Sequence, residues 1–370
     1  MKILFLVNSA WSAFNFRLNL AKSVSENNFE IFFLIPNDGN YFKRISRKYK
    51  TIPLYLKNKN LNPFDDLRTI LNISRVIKEY RIDILLTFSI KLNIYGSFVS
   101  AMMGKPSIAN INGLGSVFIK NGLVSIVANT MYKFALKFPQ KIFFHNAQDY
   151  LLFQKKFNLP EKRIDIIPGS GVNLSRFYPR KHKKHFGNNF LFIGRLIKDK
   201  GIIEIIEAVK ILNLKNNLEF KIDFLGDFDE NNPSSINRSC FYKWIDEGLI
   251  RYLGTSDKVE EFIENYDCVI LPSYREGMPR VILEAFAMKV PAIVTNVPGC
   301  QDIVSNRVDG LVCNAHDAND LANRVIEFIE LSAETKIRMG NMARKKVENF
   351  YDEKIVIEKY LSTLEKLKHL

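Results

Sequence analysis

Glu276 and Glu284 stand eight positions apart in Arg275-Glu276-Gly277-Met278-Pro279-Arg280-Val281-Ile282-Leu283-Glu284-Ala285, directly after an apolar run at 268–272. Pro279 suits the first turn of a helix, where its missing N–H costs nothing. Glu276 then sits in the loop before the helix and Glu284 inside it. A helix N-terminus offers free backbone N–H groups and a positive dipole end, which together seat a phosphate. Two carboxylates beside that seat accept hydrogen bonds from hydroxyls, and phosphate plus hydroxyls is the chemistry of a nucleotide sugar. An arbitrary pair of glutamates at this spacing is solvated helix decoration. The place of this pair, between a buried strand and a Pro-started helix, favours the site.

A second motif, Gly194-Arg195-Leu196-Ile197-Lys198-Asp199-Lys200-Gly201, follows the apolar run 190–194. Arg195 and Lys200 fall in a strand-to-helix loop, the edge where open α/β sheets bind ligands. Two cations there neutralise a diphosphate, Arg195 through paired donors and Lys200 as a point charge. A third loop, Gly226-Asp227-Phe228-Asp229-Glu230-Asn231-Asn232-Pro233, leaves a strand at the same edge. It either shapes the base pocket or is a polar turn.

The first half carries weaker signals. Ser9-Ala10-Trp11-Ser12-Ala13-Phe14-Asn15-Phe16-Arg17 follows the first strand. An exposed Trp11 with Ser9, Asn15 and an Arg17 opening a helix reads as a ligand edge or as ordinary packing. Lys91 and Asn93 open another helix at that edge. Asn112-Gly113-Leu114-Gly115-Ser116 is a glycine-rich turn without the full dinucleotide fingerprint, which argues against a nicotinamide cofactor.

These loops need elements to hold them. Short apolar runs at 3–7, 31–35, 84–88, 107–111 and 141–144 read as strands, and so do 190–194, 220–226, 268–272, 292–295 and 310–313. Helical patterns alternate with them, at 67–80, 202–214, 281–288 and 321–331, with two more at 333–349 and 353–368. Strand–helix alternation in both halves predicts two doubly wound α/β domains with parallel sheets. Residues 1–170 form the first, 171–189 a linker, and 190–349 the second. Residues 350–370 form a helix long enough to pack back across the linker. The linker holds the basic run 180–185, which has no apolar period.

At 370 residues, with 47% hydrophobic and 25% charged residues, the composition is that of a globular chain of about two domains. Disorder, collagen repeats and disulfide scaffolds are excluded. Cys240, Cys268, Cys300 and Cys313 form no C-x-x-C pair and read as isolated thiols. The first apolar run is too short for a signal peptide, and no run is long enough to span a bilayer. The net charge is +14, and residues 1–170 carry all of it, with 24 Lys and Arg against 10 Asp and Glu. One half therefore faces something anionic. Residues 117–140, with Lys120, Lys133, Lys137, Phe118, Phe134 and Phe138, suit an anionic headgroup region or a core helix with solvated lysines. Residues 41–50 are basic and aromatic too. No nucleic-acid-binding motif accompanies them, so no nucleic acid partner is expected.

At Gly194-Arg195…Lys200-Gly201, Glu276…Glu284 and Gly169-Ser170-Gly171-Val172-Asn173 the chain resembles the retaining glycosyltransferases of family 4, over nearly its whole length. A narrower resemblance is to bacterial N-acetylgalactosaminyltransferases that extend an undecaprenyl-diphosphate-linked sugar. It rests on Phe16-Arg17, Lys91, Asn93, Gly113-Leu114-Gly115-Ser116, Asp229-Glu230-Asn231 and Leu271-Pro272-Ser273-Tyr274. The resemblance implies the GT-B fold: two Rossmann-like domains facing across a cleft, with the C-terminal helix packing back on the first. It implies that Arg195 and Lys200 bind the donor diphosphate, that Glu284 holds the ribose hydroxyls, and that Glu276 and the Gly277–Met278–Pro279 backbone contact the transferred sugar. Gly226 lines the donor site, while Ser9, Asn15, Arg17, Lys91 and Gly113 contact substrate from the first domain. The implied partners are a UDP-sugar, a lipid-diphosphate-linked saccharide and an anionic membrane surface, with the enzyme peripheral at the cytoplasmic face. No cofactor and no metal are expected, since no acidic cluster with metal spacing accompanies the cations. Two departures stand out. Ser9-Ala10-Trp11 replaces a Gly-Gly turn, and Ile90 stands where many members carry histidine, leaving His145 alone in its domain. A UDP-N-acetylglucosamine 2-epimerase shares the architecture but needs more histidines and carboxylates. A non-catalytic basic module leaves the convergence of Arg195, Lys200, Glu276 and Glu284 unexplained.

Overall fold

The computed structural model describes residues 1–57, 62–113, 123–179, 186–215, 218–230 and 232–368, without the side chains of 123–128. The turn residues Leu114 to Ser116, residues 117–122 of the apolar stretch, the basic run 180–185 and Asn231 lie outside the described residues. The chain divides into two compact units, Met1–Ser170 with Val356–Leu370, and Gly171–Ile355.

The first unit alternates β1 (Lys2–Leu6), α1 (Ala10–Glu26), β2 (Glu30–Ile35), α2 (Asn40–Ser46), β3 (Lys50–Pro53), α3 (Pro63–Tyr80) and β4 (Ile84–Phe88). It continues through α4 (Ile90–Met102), β5 (Ser107–Ile111), α5 (Leu123–Ala135), β6 (Lys141–Phe144), α6 (Ala147–Phe157) and β7 (Ile164–Ile166). All seven strands run parallel in the order β3-β2-β1-β4-β5-β6-β7. A parallel sheet is covered on both faces, so its central strands are apolar throughout and not alternating. Accordingly β4 and β5 are buried at every position. Helix α3 starts four residues before the apolar period because Asn62 accepts from Phe64 N at 3.0 Å and Pro63 follows at the first helical position.

The second unit holds β8 (Asn189–Ile193), α7 (Ile202–Asn213), β9 (Lys221–Leu225), α8 (Arg238–Asp246), β10 (Arg251–Tyr252), α9 (Val259–Ile263) and β11 (Cys268–Leu271). Then come α10 (Arg280–Ala287), β12 (Ala292–Thr295), β13 (Gly310–Cys313), α11 (Ala318–Glu330) and α12 (Ala333–Phe350). Its six strands are also parallel, in the order β10-β9-β8-β11-β12-β13. Val172 and Phe177 are buried in this unit's core, and Val172 N donates to Tyr351 O at 2.9 Å.

The last helix, α13 (Glu353–Leu367), returns to the first unit. Val356, Tyr360, Leu364 and Leu367 recur at helical spacing and are buried with α1 and the sheet. The Tyr360 hydroxyl donates to Asn110 Oδ1, tying this helix to β5. Asn110 Nδ2 in turn donates to Thr87 O at 3.0 Å, and Asn93 Nδ2 to Asn110 O at 2.7 Å. Buried polar groups are held by such partners, since leaving one unpaired costs about 1–3 kcal/mol.

Candidate active site

In the second unit the chain order reverses between β8 and β11, since β9 and β10 extend to one side and β12 and β13 to the other. Ligands of open α/β sheets bind at that switch point, outside the carboxyl ends of the strands. Lys200 follows β8 and Glu276 follows β11, and the Lys200 ammonium donates to Glu276 Oε1. Ser273 Oγ donates to the same oxygen at 2.7 Å, and Glu276 N donates to Pro298 O at 3.2 Å. Both charged side chains are largely buried.

Two glycines allow the loops to close in this way. Gly201 has φ +74°, and a Cβ on it would lie 2.0 Å from Pro272 O. Gly299 has φ +83°, and its Cβ would lie 2.6 Å from Glu276 O. Gly226 closes on Gly194 in the same manner, its Cβ site 1.8 Å from Gly194 O. Leu196 N donates to Asp227 O at 2.8 Å, so the loops after β8 and β9 run side by side. Arg195 reaches across them to Asp229 Oδ2 at 2.9 Å. More than half of the Arg195 side chain is exposed, and a pair of this kind contributes about 0–1 kcal/mol.

Helix α10 begins at Arg280, with Pro279 immediately before it and not inside the first turn. The missing proline N–H again costs nothing, because it lies outside the helix ladder. Met278 packs against the apolar core. Glu284 pairs with Arg280, one turn earlier, at 2.9 Å. Burial pushes the Glu284 carboxyl up, against the opposing charges of Arg280 and Arg176. Arg176 itself donates to Glu260 Oε2 at 2.8 Å. Sequence reading missed Arg176: it lies more than a hundred residues from Glu284, and only the fold brings the two within electrostatic reach.

Tyr274 is a further residue without a role in the motif reading. Its hydroxyl donates to Glu204 of α7 at 2.8 and 2.9 Å, and its backbone N–H donates to Asp199 O at 2.9 Å. It thereby fastens the loop before Glu276 to the loop that carries Lys200. The His316 ring stacks on it with centroids 3.8 Å apart.

The first unit has its own switch point, between β1 and β4. Ser9, after β1, caps α1 by accepting from Ser12 N at 3.1 Å. Asp38 accepts from Ala10 N through both carboxylate oxygens, each at 3.1 Å, so a carboxylate already occupies that helix end. Asn15 Nδ2 donates to Trp11 O at 3.0 Å, beside a Trp11 that is exposed as expected. Arg17 does not open the helix. It sits a full two turns into α1 and is buried, its guanidinium 4.1 Å from the centre of the Phe88 ring. The Phe88 ring stands at the carboxyl end of β4, so Arg17 lies beside the switch point of this sheet. Lys91, after β4, donates to Asp66 Oδ1 at 2.9 Å and Lys57 O at 3.1 Å. Gly113 lies two residues past β5 with φ +131°. Ser89, between β4 and α4, has φ +90° and ψ 158°, a region that glycine alone enters freely. Strain of this kind clusters at functional sites. His145 is buried and its imidazole is held neutral, down to about 3, by burial first and the Arg17 charge second.

Two doubly wound parallel units with the chain's last helix returned to the first are the GT-B architecture of nucleotide-sugar glycosyltransferases. A sucrose-phosphate synthase from Thermosynechococcus elongatus shares it, with a TM-score of 0.83 at 16% identity, covering 100% of this chain and 99% of that one. Residues 176–346 match the family described as "Glycosyl transferases group 1", and residues 2–146 match "Glycosyl transferase 4-like". The chain belongs to this group 1, family-4-like kind and is a hexosyltransferase. A Campylobacter jejuni N,N'-diacetylbacillosaminyl-diphospho-undecaprenol alpha-1,3-N-acetylgalactosaminyltransferase is 29% identical, with 99% of each chain covered. An Escherichia coli UDP-Gal:alpha-D-GlcNAc-diphosphoundecaprenol alpha-1,3-galactosyltransferase is 25% identical, with 90% of this chain and 93% of that one covered.

Proposed function

We propose that this enzyme moves an N-acetylhexosamine, with retention, from a UDP-sugar to an undecaprenyl-diphosphate-linked saccharide in the building of a surface glycan. The observation that carries this reading is the meeting of Lys200 and Glu276 at the switch point between β8 and β11. The donor and acceptor classes are supported by the names of the two relatives above.

In this mechanism the second unit holds the nucleotide. Arg195 and Lys200 face the donor diphosphate, and Glu284 accepts from the ribose hydroxyls. Glu276 and the Gly277–Pro279 backbone contact the transferred sugar, and Gly226, where the loops after β8 and β9 close on each other, lines the donor site. The acceptor hydroxyl attacks C1 from the face the diphosphate leaves. The C1–O bond to UDP breaks, its electron pair goes to the leaving phosphate oxygen, and the acceptor proton moves to that oxygen. Lys200 is partly buried and held in place by Glu276, so its charge stands at a fixed position beside the leaving diphosphate. Because two side-chain cations supply this charge, activity persists in EDTA. Ser9, Asn15, Lys91 and Gly113 of the first unit face the acceptor. The enzyme works peripherally at the cytoplasmic face of the membrane. Among the described residues no helix is long and apolar enough to cross one.

The test offers UDP-, GDP- and dTDP-sugars together with an undecaprenyl-diphosphate-linked saccharide. The expected product is a lipid saccharide longer by one N-acetylhexosamine, with the donor's anomeric configuration retained by NMR. An inverted linkage overturns the retaining mechanism, and transfer from GDP- or dTDP-sugars alone overturns the donor.

A further inference from the structure

The first unit carries the whole charge excess, and its helices divide between the two faces of the sheet. Helices α3, α4, α5 and α6 share one core cluster, and α1, α2 and α13 share the other. The two basic, aromatic segments of the sequence therefore lie on opposite faces, and a flat bilayer meets one of them. On the α2 face the aromatic side chains Tyr41, Phe42 and Tyr49 pack inward against the core, and Arg44 lies 4.0 Å from the Phe14 ring centre.

On the other face the apolar side chains point outward. Phe64, Leu67 and Leu71 of α3 are 82%, 53% and 59% exposed and share one side of the helix. Arg68, Arg75 and Lys78 stand on the same side, also exposed, with one exposed acid, Glu79, paired to Arg75 at 3.3 Å. Helix α6 repeats the arrangement, with Leu151 and Leu152 exposed one turn from Lys155 and Lys156. The end of α5 adds Lys133 and Phe134. Apolar tips interleaved with cations are the pattern that lies in an anionic headgroup layer.

We propose that the α3–α6 face of the first unit seats on an anionic bilayer, with Phe64, Leu67 and Leu71 entering the headgroup region and the neighbouring arginines and lysines pairing with lipid phosphates. This rests on the reading that the acceptor is lipid-linked. The bilayer is chosen over a protein partner because its phosphates complement the exposed cations Arg68, Lys78, Lys133, Lys155 and Lys156, on a unit that carries the net positive charge of the chain.

The full chain is sedimented with vesicles of phosphatidylglycerol in phosphatidylcholine, and with phosphatidylcholine alone. Binding is expected to the first and to weaken with salt. The triple variant F64S/L67S/L71S partitions roughly 100-fold more weakly at every salt concentration. The pair R68Q/R75Q, which removes charge alone, loses roughly fivefold per residue at low salt and little at high salt. Both variants keep their melting temperature and their transfer to a short soluble acceptor. The pair R44Q/K48Q on the opposite face binds within about twofold of the parent, which allows for its long-range charge loss. The surface assignment fails if the parent binds no vesicle, if the α3 variants bind normally, or if R44Q/K48Q loses as much as they do. A change of sedimentation coefficient in the α3 variants with vesicle binding intact means that a second copy covers this face, and overturns it too. Vesicle binding as described without transfer to any acceptor would leave the surface standing and sink the functional reading instead.

Discussion

At Glu284 and His145 burial favours the neutral form, and so moves the two pKa values in opposite senses. The Glu284 carboxyl is raised by burial, so the folded chain holds its proton more tightly than the unfolded chain does. Between the ordinary carboxylate value and the raised one, stability falls as pH rises, and the cost is fully present above that window. His145 is depressed, so between its ordinary value near 6.5 and about 3 the unfolded chain holds more protons, and stability falls as pH falls. Denaturation curves across pH are expected to lose the first slope in Glu284→Gln and the second in His145→Gln. Donor binding by Glu284→Gln weakens by about 1.5–3 kcal/mol, the range for a hydrogen bond to a charged group. Lys200→Ala is expected to lower kcat about 100- to 1,000-fold and to raise the donor KM far less, because charge on the diphosphate grows in the transition state. Turnover near that of the parent would show that Lys200 does not face the leaving group.

The loops at the strand ends are built by backbone contact as much as by side chains. Gly201→Ala places a Cβ against Pro272 O at a left-handed φ. The backbone conformation alone costs about 1–3 kcal/mol. Chemical denaturation is expected to show at least that loss, and kcat to fall with it because Lys200 is the preceding residue. Ser89→Gly relieves strain of the same kind after β4, so a gain in stability of up to about 1–2 kcal/mol is expected. A loss of stability there would mean that the serine side chain holds the turn.

A helix from the far end of the chain completes the core of the first unit. Val356, Tyr360, Leu364 and Leu367 are buried there. At about 1.5–3 kcal/mol per buried apolar side chain, deleting residues 356–370 removes on the order of 6–12 kcal/mol, comparable to a whole domain's stability. Hydrogen exchange is expected to show β1, β4 and β5 unprotected in the truncated chain, while β8, β11 and β12 in the second unit keep their protection. Tyr360→Phe is the milder case. It leaves Asn110 Oδ1 without its donor and is expected to cost about 1–3 kcal/mol.

Strand and helix positions were legible because their signals are local. Apolar runs such as Ile84–Phe88 and Gly310–Cys313 fall on observed strands residue for residue, and the 281–288 pattern slips by one because proline only delimits a helix start. The cap at Asn62-Pro63 was not read from the sequence, and the apolar period alone starts the helix late. The pairing of the loops that carry Lys200 and Glu276 followed from motif spacing plus the rule for strand ends. Other relations depend on strand order and on which side a helix presents. Those decided that Arg17 is buried under Phe88, that Asp38 sits on the α1 N-terminus, that Arg176 acts on Glu284, and that residues 41–50 and the α3 stripe lie on opposite faces. Sequence period tells which residues of a helix share a side. Only the packed sheet tells whether that side meets the core, a neighbouring helix or solvent, since burial is a property of the partners a side chain finds.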